Sequence, residues 1–233
     1  MPSGQFNYSE LPKSDVTIVS FSGGKDSLAT YLEVREHFKH VVPFYLQGVP
    51  DLEFIEDNLR YYEKLMGRRI IRLPQPRFYE KLNDLIYQPP DYDRHRLIWS
   101  WCLPNHTHEE IHEAVCKCEG LDPETVYTAI GLKMADSIQR RTAMARNGLV
   151  THSRKKYYPI AYYSKQDVLD KVAGAGWKLP SDYGLFKDSF DGLQIRYLLP
   201  IKKHFPRDYE RILAWFPLAE AEVLRYERFQ RGA

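Results

Sequence analysis

Six consecutive residues, 22–27 (SGGKDS), combine the groups that a phosphate-binding loop needs. Two adjacent glycines let the backbone approach an anion closely, and the first amides of a helix point toward it. The hydroxyls of Ser22 and Ser27 add donors, and Lys25 supplies a positive charge for a terminal phosphate. Asp26 offers a carboxylate that can hold Mg²⁺ or orient donors. The residue types therefore predict a site for a nucleoside phosphate.

The position of this loop supports the same prediction. It directly follows an apolar, β-branched run at 16–21 (VTIVSF), which is typical of a strand buried on both faces, and it precedes a helical pattern. The loop is not a Walker A motif, because position 19 is Val and the residue after Lys25 is Asp, and G-x-G-x-x-G is absent. The alternative is a glycine-rich structural turn, which does not require Lys, Asp and two Ser together.

Short apolar runs alternate with helical patterns through the first two-thirds of the chain. The strands are predicted at 16–21, 41–46, 69–73 and 126–130, and Pro43 predicts an edge or irregular position for the second. Residues 88–106 show no regular apolar spacing, which predicts a loop or lid, and the last stretch is predicted to be mainly helical from Pro206 onward. This alternation predicts a doubly wound, mostly parallel α/β sheet with a ligand at its carboxyl edge.

Composition excludes several classes of protein. Of 233 residues, 43% are hydrophobic and 27% are charged, as in an ordinary globular protein. No stretch approaches the ~20 apolar residues that span a bilayer, and the first fifteen residues hold no apolar run that could act as a secretory signal. Three Cys are too few for a disulfide framework. We expect a cytoplasmic protein with no membrane partner, and its oligomeric state stays open.

Charge is divided unevenly along the chain. Residues 1–132 hold 14 Lys or Arg and 20 Asp or Glu, whereas residues 133–233 hold 19 and 11, so the net charges are −6 and +8. Two segments, 154–158 (RKKYY) and 225–229 (RYERF), interleave cations with aromatic rings, as surfaces that stack nucleic-acid bases do. Nucleic acid is therefore one candidate partner. The alternative is a solvated cationic surface with ordinary core and rim tyrosines.

Three segments resemble, in order, the motifs of one superfamily. Residues 20–27 (SFSGGKDS) resemble the PP-loop of the adenine-nucleotide α-hydrolases, which include the ATP pyrophosphatases and the phosphoadenylyl-sulfate (PAPS) reductases. Residues 131–140 (GLKMADSIQR) resemble the G-x-R-x-x-[ED]-S-x-x-R element of the reductase branch, with Lys133 in place of Arg. Residues 158–168 (YPIAYYSKQDV) are similar to that branch's Y-P-I-x-x-W-x-x-x-D-V, with Tyr163 in place of Trp.

This resemblance implies a fold and a set of site residues. It implies a five-stranded parallel sheet within a nucleotide-binding domain at 1–175, with residues 176–233 as a helical extension packed on it. Lys25, Asp26 and Arg140 are the implied catalytic residues, with Asp26 also a magnesium ligand. The implied nucleotide-binding residues are Ser20, Phe21, Ser22, Gly23, Gly24, Lys25, Asp26, Ser27, Leu46, Gly131, Lys133, Ser137, Arg140 and Arg141.

The two branches of the family imply different chemistry. In the pyrophosphatase branch, an acceptor attacks the α-phosphorus of ATP and magnesium pyrophosphate leaves. The resemblance thus implies an adenylating transferase that uses ATP and Mg²⁺ on an unidentified acceptor, such as a nucleic acid or a sulfur compound. In the reductase branch a cysteine near the C-terminus attacks the sulfonucleotide, but this chain has no Cys after Cys118. The alternative is a protein that binds PAPS or APS and relies on a sulfur-donor or redox protein.

A zinc protease is the alternative from another class. His108, Glu109 and His112 fit the H-E-x-x-H signature of zinc metalloproteases. Thr107 and Glu110, however, form a sequence pattern for a capping box, which places His108 at the first helical position. A working zinc site prefers both histidines inside a supported helix, so the context favours the nucleotide enzyme.

The cysteines suggest a further metal alternative. Cys102, Cys116 and Cys118 fall one short of a four-cysteine zinc or iron–sulfur site, and C-x-C on a helix points its two thiols apart. Cys118 lies at helical spacing from Ile111 and Val115 and is predicted to be a core residue. We interpret the three cysteines as packing and loop residues.

Overall fold

A computed structural model describes residues 4–186 and 189–231 of the chain. Within these residues the strands are β1 (Val16–Ser20), β2 (His40–Gln47), β3 (Ile71–Pro74), β4 (Thr128–Ile130), β5 (Val150–Thr151) and β6 (Lys156–Tyr157). The α-helices are α1 (Lys25–Val34), α2 (Glu53–Met66), α3 (Pro76–Asn83), α4 (Tyr92–Ser100), α5 (His108–Glu119), α6 (Ile138–Asn147), α7 (Lys165–Gly174), α8 (Tyr183–Phe186), α9 (Ile195–His204), α10 (Pro206–Trp215) and α11 (Ala219–Arg231).

The strands form one mixed sheet in the order β3-β2-β1-β4-β6-β5. Strand β1 pairs in parallel with β2 and β4, and β4 pairs in parallel with β6, whereas β5 is antiparallel to β6. The predicted α/β class with a mostly parallel sheet and helices following the strands is confirmed. So is the mainly helical C-terminal stretch, in which α10 begins at Pro206.

The predicted strand count was wrong, and of the two positions predicted for Pro43 the edge is excluded. The sheet has six strands where five were predicted, because two-residue strands such as β5 are too short to give a periodic pattern. Pro43 lies in β2, between β1 and β3 and opposite Val19, and so is not at an edge. In a parallel strand each amide faces one neighbour only, so a proline removes a single ladder bond there.

The chain divides into two compact units of interleaved segments. The first unit holds residues 1–45, 66–73 and 107–180, and the second holds 46–65, 74–106 and 181–233. The first ends near the boundary predicted at 175, but 46–65 and 74–106 belong with the C-terminal segment. The domain limits 1–175 and 176–233 stay a prediction.

The core of the first unit forms where α1 and α7 pack together and where β1 meets its neighbours. Ile18, Val19 and Leu28 are fully buried there. Tyr157 is also buried, and its hydroxyl bonds the Thr17 hydroxyl at 2.8 Å, so the central strands carry a satisfied polar pair inside the core.

Aromatic rings dominate the core of the second unit. Phe54 on α2 contacts the rings of Phe186, Phe190 and Phe205 at centroid distances of 5.9, 5.9 and 4.8 Å. Large aromatic side chains contribute most to such cores because each buries a large apolar area.

The segment 88–106, predicted as a loop or lid, contains α4. Asp91 caps this helix by accepting hydrogen bonds from the amides of Asp93 and Arg94. Its apolar residues do not keep helical spacing, and Leu97 and Trp99 are exposed, which explains why periodicity missed it. Among the described residues, no helix combines the length and the apolar character needed to cross a membrane.

The buried carboxylate of Asp208 holds the start of α2 within the second unit. Its two oxygens accept hydrogen bonds from the amides of Glu53 and Phe54 at 2.7 and 3.1 Å, and Arg211 pairs with it at 2.7 Å. A carboxylate at a helix N-terminus satisfies amides that have no partner within the helix and complements the helix dipole.

We therefore expect Asp208→Ala to lower the free energy of unfolding by about 2–4 kcal/mol, because it removes a cap and leaves buried amides unpaired. Urea denaturation followed by circular dichroism measures the change. Asp57→Ala is the control, since Asp57 and its partner Arg60 are both exposed, and we expect a change within about 0.5 kcal/mol. Equal effects of the two substitutions would contradict the capping role.

Candidate functional site

The predicted phosphate loop follows β1 and continues into the first turn of α1, as the sequence indicated. Strand β1 ends at Ser20, and α1 begins at Lys25 with Gly24 as its N-cap. Gly23 has a φ of 76°, in the left-handed region that glycine adopts without strain. Gly24 has no side chain with which to cap the helix, so the amides at the start of α1 receive no hydrogen bond from it. Such an N-terminus attracts an anion.

The two predicted hydroxyl donors are arranged differently from the expectation. Ser27 is buried, donates to the Gly24 carbonyl at 2.8 Å and lies 3.3 Å from the Ser22 hydroxyl. The Gly24 amide also points at the Ser22 hydroxyl, 3.4 Å away. Ser27 therefore stabilises the shape of the loop, and the Ser22 hydroxyl is the more accessible of the two.

The glycine that follows β4 packs against this loop. A Cβ atom on Gly131 would lie 2.8 Å from the Thr30 hydroxyl and 3.0 Å from the Asp26 carbonyl oxygen. No larger residue fits without moving the first turns of α1. Gly131 therefore lies directly against α1, and its predicted contact with a nucleotide stays a prediction.

A row of alternating charges joins the phosphate loop to the segment that follows β4. The Lys133 ammonium contacts Asp26 at 2.5 Å and Asp136 at 3.0 Å. Lys25 pairs with the other oxygen of Asp26 at 2.9 Å, and Arg140 pairs with Asp136 at 2.7 Å. We call Lys25, Asp26, Lys133, Asp136 and Arg140 the ion chain.

The ion chain is most buried at its centre. The Lys133 side chain is 3% exposed, whereas the Arg140 side chain is 46% exposed. Burial acts to raise the pKa of Asp136, but the hydrogen bonds and charge of Lys133, with a smaller contribution from Arg140, outweigh it and hold this pKa below its ordinary value of 3.8. Asp136 is therefore ionised at neutral pH.

This geometry bears on the magnesium site predicted at Asp26. Both of its carboxylate oxygens contact ammonium groups, and no group of three or more metal-ligating side chains occurs among the described residues. The residues present do not fit a protein-held Mg²⁺ at Asp26. Lys133 likewise contacts two carboxylates and so holds the two segments together, and its predicted contact with a nucleotide stays a prediction.

The remaining predicted residues are placed as follows. Ser137 caps α6 by accepting a hydrogen bond from the Arg140 amide at 3.1 Å, and Arg141 is exposed on the same helix. Phe21 is buried, and its amide donates to the Phe44 carbonyl. Leu46 lies near the end of β2 in the second unit, and its contact with a nucleotide stays a prediction.

The histidines of the H-E-x-x-H pattern do not form a zinc site. His108 is exposed at the start of α5, after a capping box formed by Thr107 and Glu110. His112 is buried, with Nδ1 2.9 Å from the Thr128 hydroxyl and Nε2 3.2 Å from the Pro123 carbonyl. Both ring nitrogens are thus occupied by the surrounding fold, which contradicts the protease alternative.

The cysteine on the buried face of α5 is Cys116, and Cys118 is exposed, so the predicted core role of Cys118 was wrong. Because an α-helix has 3.6 residues per turn, position 116 lies one turn after His112 on the same face, and the Cys116 Sγ is 3.6 Å from the His112 Nε2. Burial raises the pKa of the Cys116 thiol to about 11, which keeps it protonated at neutral pH.

The sequence interpretation missed a cavity of about 460 Å³ beside Arg140. One wall is a face of α6, and the other is the turn and strand that lead from β5 to Tyr158. The helical wall carries a signal that could have been found: Arg140, Met144 and Asn147 recur at i, i+4 and i+7. We call this space the α6 cavity.

Comparison with known proteins gives limited likeness. The chain matches no protein-family model and no curated protein. Among solved structures, it is similar to the U34-tRNA thiolase NcsA from Methanococcus maripaludis, with its [4Fe-4S] cluster, at a TM-score of 0.49 and 16% identity over 93% of this chain and 75% of that one.

It is also similar to a predicted subunit of tRNA methyltransferase from Methanocaldococcus jannaschii DSM, at a TM-score of 0.36 and 16% identity over 83% of this chain and 91% of that one. Likenesses of this size do not establish a family.

The contact between Gly131 and α1 limits the size of the residue at position 131. We expect Gly131→Ala to lower the free energy of unfolding by about 1–3 kcal/mol, because the new methyl group must displace Thr30 or the α1 backbone. Thermal and urea denaturation measure this change.

Gly174→Ala in α7 is the matched control, because no described atom beyond its neighbours and its own helix lies within 4 Å of the new Cβ. We expect it to leave stability unchanged or to raise it by about 0.4–1 kcal/mol. A neutral Gly131→Ala would show that the loop and the residues after β4 are not tightly packed.

The lowered pKa of Asp136 predicts a pH dependence of stability. A carboxyl whose folded pKa lies below its unfolded value stabilises the fold above the unfolded pKa, and this stabilisation is lost as the pH falls through the folded pKa. We expect Asp136→Asn to be destabilising at pH 7 and the difference from the wild type to shrink below about pH 3.8. Denaturation curves at a series of pH values test this, and a difference independent of pH would contradict the ion pair.

Proposed function

We propose that residues 22–27 bind the phosphates of ATP and that the protein transfers the adenylyl group to an acceptor, as an ATP pyrophosphatase of the PP-loop type. The observation that carries this proposal is the N-terminus of α1, which is uncapped by Gly24 and flanked by Lys25. The resemblance of residues 20–27 to the PP-loop supports ATP as the anion. The ion chain supports it too, since it fixes this N-terminus relative to the segment after β4.

The proposed reaction is a displacement at phosphorus. An acceptor oxygen forms a bond to the α-phosphorus, the bond to the α,β-bridging oxygen breaks, and pyrophosphate leaves with that electron pair, while the acceptor proton goes to solvent. Lys25 and Arg140 would neutralise the charge that develops, and the loop amides would position the phosphates. We assign no general base, and no step depends on a metal ion held by Asp26.

Binding of a sulfonucleotide is the finer alternative within the same superfamily. The resemblance of residues 131–140 and 158–168 to the reductase branch favours it, whereas the absence of any Cys after Cys118 removes the nucleophile that the branch uses. A PAPS-binding protein would therefore need a sulfur-donor or redox partner. Competition between ATP and PAPS for the loop distinguishes these two functions.

The central prediction concerns Lys25. We expect Lys25→Ala to weaken binding of Mg·ATP by about 10- to 150-fold, because a hydrogen bond to a charged group contributes about 1.5–3 kcal/mol. Isothermal titration calorimetry measures the affinity, and circular dichroism confirms the fold.

Lys39→Ala is the control, because Lys39 pairs with Asp15 on an exposed surface outside the proposed site. Radiolabel at the α-phosphorus then identifies the reaction, since release of pyrophosphate gives an adenylyl product or AMP and not ADP. Equal ATP affinity in the wild type and Lys25→Ala would refute the loop assignment. Tighter binding of PAPS than of ATP would favour the sulfonucleotide alternative.

A further inference from the structure

The α6 cavity has one wall built from a single helical face. Arg140, Ala143, Met144 and Asn147 line it from α6, at the spacing that places residues on one side of a helix. Met144 is buried and belongs to a small apolar cluster with Met134 and Ala161, whereas Ala143 and Asn147 are exposed. This wall is therefore apolar at its base and open to solvent at its rim.

The opposite wall comes from the tight connection between β5 and β6. A 3₁₀ turn at His152–Arg154 and Lys155 in the left-handed conformation reverse the chain. Because side chains alternate along a strand, Lys156 and Tyr158 line the cavity, while Tyr157 between them is buried in the core. The segment RKKYY thus divides its aromatic residues between core and cavity.

Three cations line this cavity: Arg140, Arg154 and Lys156. Arg140 pairs with Asp136. Arg154 makes a long contact of 3.5 Å with Glu109, and both side chains are exposed. Within the part of the chain that the structure describes, no carboxylate pairs with Lys156. The cavity walls carry more positive than negative charge, beside the ring of Tyr158 and the thioether of Met144.

We propose that the α6 cavity binds a nucleotide unit, with its phosphate at Arg154 and Lys156 and its base against Tyr158 and Met144. A planar base on an apolar, aromatic surface with phosphate at neighbouring cations is the pattern by which proteins hold single-stranded nucleic acid. The volume of about 460 Å³ lies in the range of small-molecule sites. Arg140 belongs to both the cavity and the ion chain, so the nucleotide unit would lie next to the proposed ATP site.

The role of the bound nucleotide unit rests on the proposed function, in which this unit would be the acceptor that ATP activates. The binding itself does not require ATP. A free nucleotide and a single strand share the chemistry that the cavity recognises, and the experiment separates these two sources.

The test measures binding of a short fluorescein-labelled single-stranded RNA, the matching DNA, and AMP as a competitor, all without ATP. We expect Tyr158→Ala to weaken RNA binding by about 5- to 150-fold, from the usual contribution of a stacked base. The double substitution Arg154→Ala and Lys156→Ala should weaken it and lower the slope of log affinity against log salt by about 1.4, or about 0.7 for each phosphate contact.

A second variant keeps the test informative if Tyr158→Ala unfolds. Ala143→Phe fills the exposed rim of the cavity without changing its charge, and we expect it to block the RNA at least tenfold. The matched control is Arg146→Ala, which removes an exposed cation of the same helix that does not line the cavity, and it should leave the affinity unchanged.

Each outcome is decisive. Competition by AMP identifies a free nucleotide as the ligand, and strand binding that AMP does not compete with identifies a nucleic acid; both support the cavity. The proposal would be overturned if polyglutamate bound as tightly as the RNA or if none of the cavity variants changed the RNA affinity. It would also be overturned if Arg146→Ala lowered this affinity as much as the cavity variants do. Loss of ATP binding in Ala143→Phe would show that the cavity belongs to the ATP site and would also overturn it. Normal RNA binding at the cavity in a protein that binds no ATP would refute the proposed function alone.

Discussion

The Lys133 ammonium group is the interaction on which the arrangement of the candidate site depends. It is almost fully buried and contacts one carboxylate from α1 and one from the segment before α6. A buried charge is tolerable only when paired, and removing one partner of such a pair typically costs about 3–5 kcal/mol. Asp26 and Asp136 are therefore constrained by the same atom. The start of α1 cannot move relative to the residues after β4 without breaking a buried ion pair, and Gly131 allows the backbones to approach closely enough for this pair to form.

Charge alternation along the ion chain decides which groups a ligand can use. The central lysine pairs with both carboxylates, and the chain ends in a cation on either side, Lys25 and Arg140, so its three cations outnumber its two carboxylates by one. In the function that we propose, a polyanion would meet positive charge at the two ends and amides at the start of α1, without displacing the Lys133 ion pairs. Electrostatic groups fixed in this way need little reorganisation when a ligand charge develops, which is the property that favours phosphoryl and adenylyl transfer.

The sequence predicted the parts of this site that depend on local pattern. The order of strand, loop and helix around residues 22–27 follows from an apolar run, two glycines and helical spacing, all within a few neighbouring residues. It could not predict the roles that depend on burial. Lysine is usually exposed, so residues 131–140 alone do not show that Lys133 is buried. Residues 22–27 likewise do not show that the Ser27 hydroxyl donates to the Gly24 carbonyl. The choice of Cys116 over Cys118 as the buried thiol also depends on the rotation of α5, which spacing fixes only approximately.

The net positive charge of residues 133–233 also could not locate an anion site from the sequence alone. These residues are divided between the two units, with 133–180 in the first and 181–233 in the second. Many of their cations are neutralised within their own unit: Arg211 pairs with Asp208, Lys202 with Glu227 and Lys171 with Glu33. The net charge of a segment is therefore a poor guide to where an anion binds, because it does not show which cations are paired; Lys133 and Lys171, for example, pair with Asp26 and Glu33 of the first half. The α6 cavity is lined by three cations beside an aromatic ring, one of them paired with Asp136. Such a local excess of charge acts at short distances, over which salt screens it little.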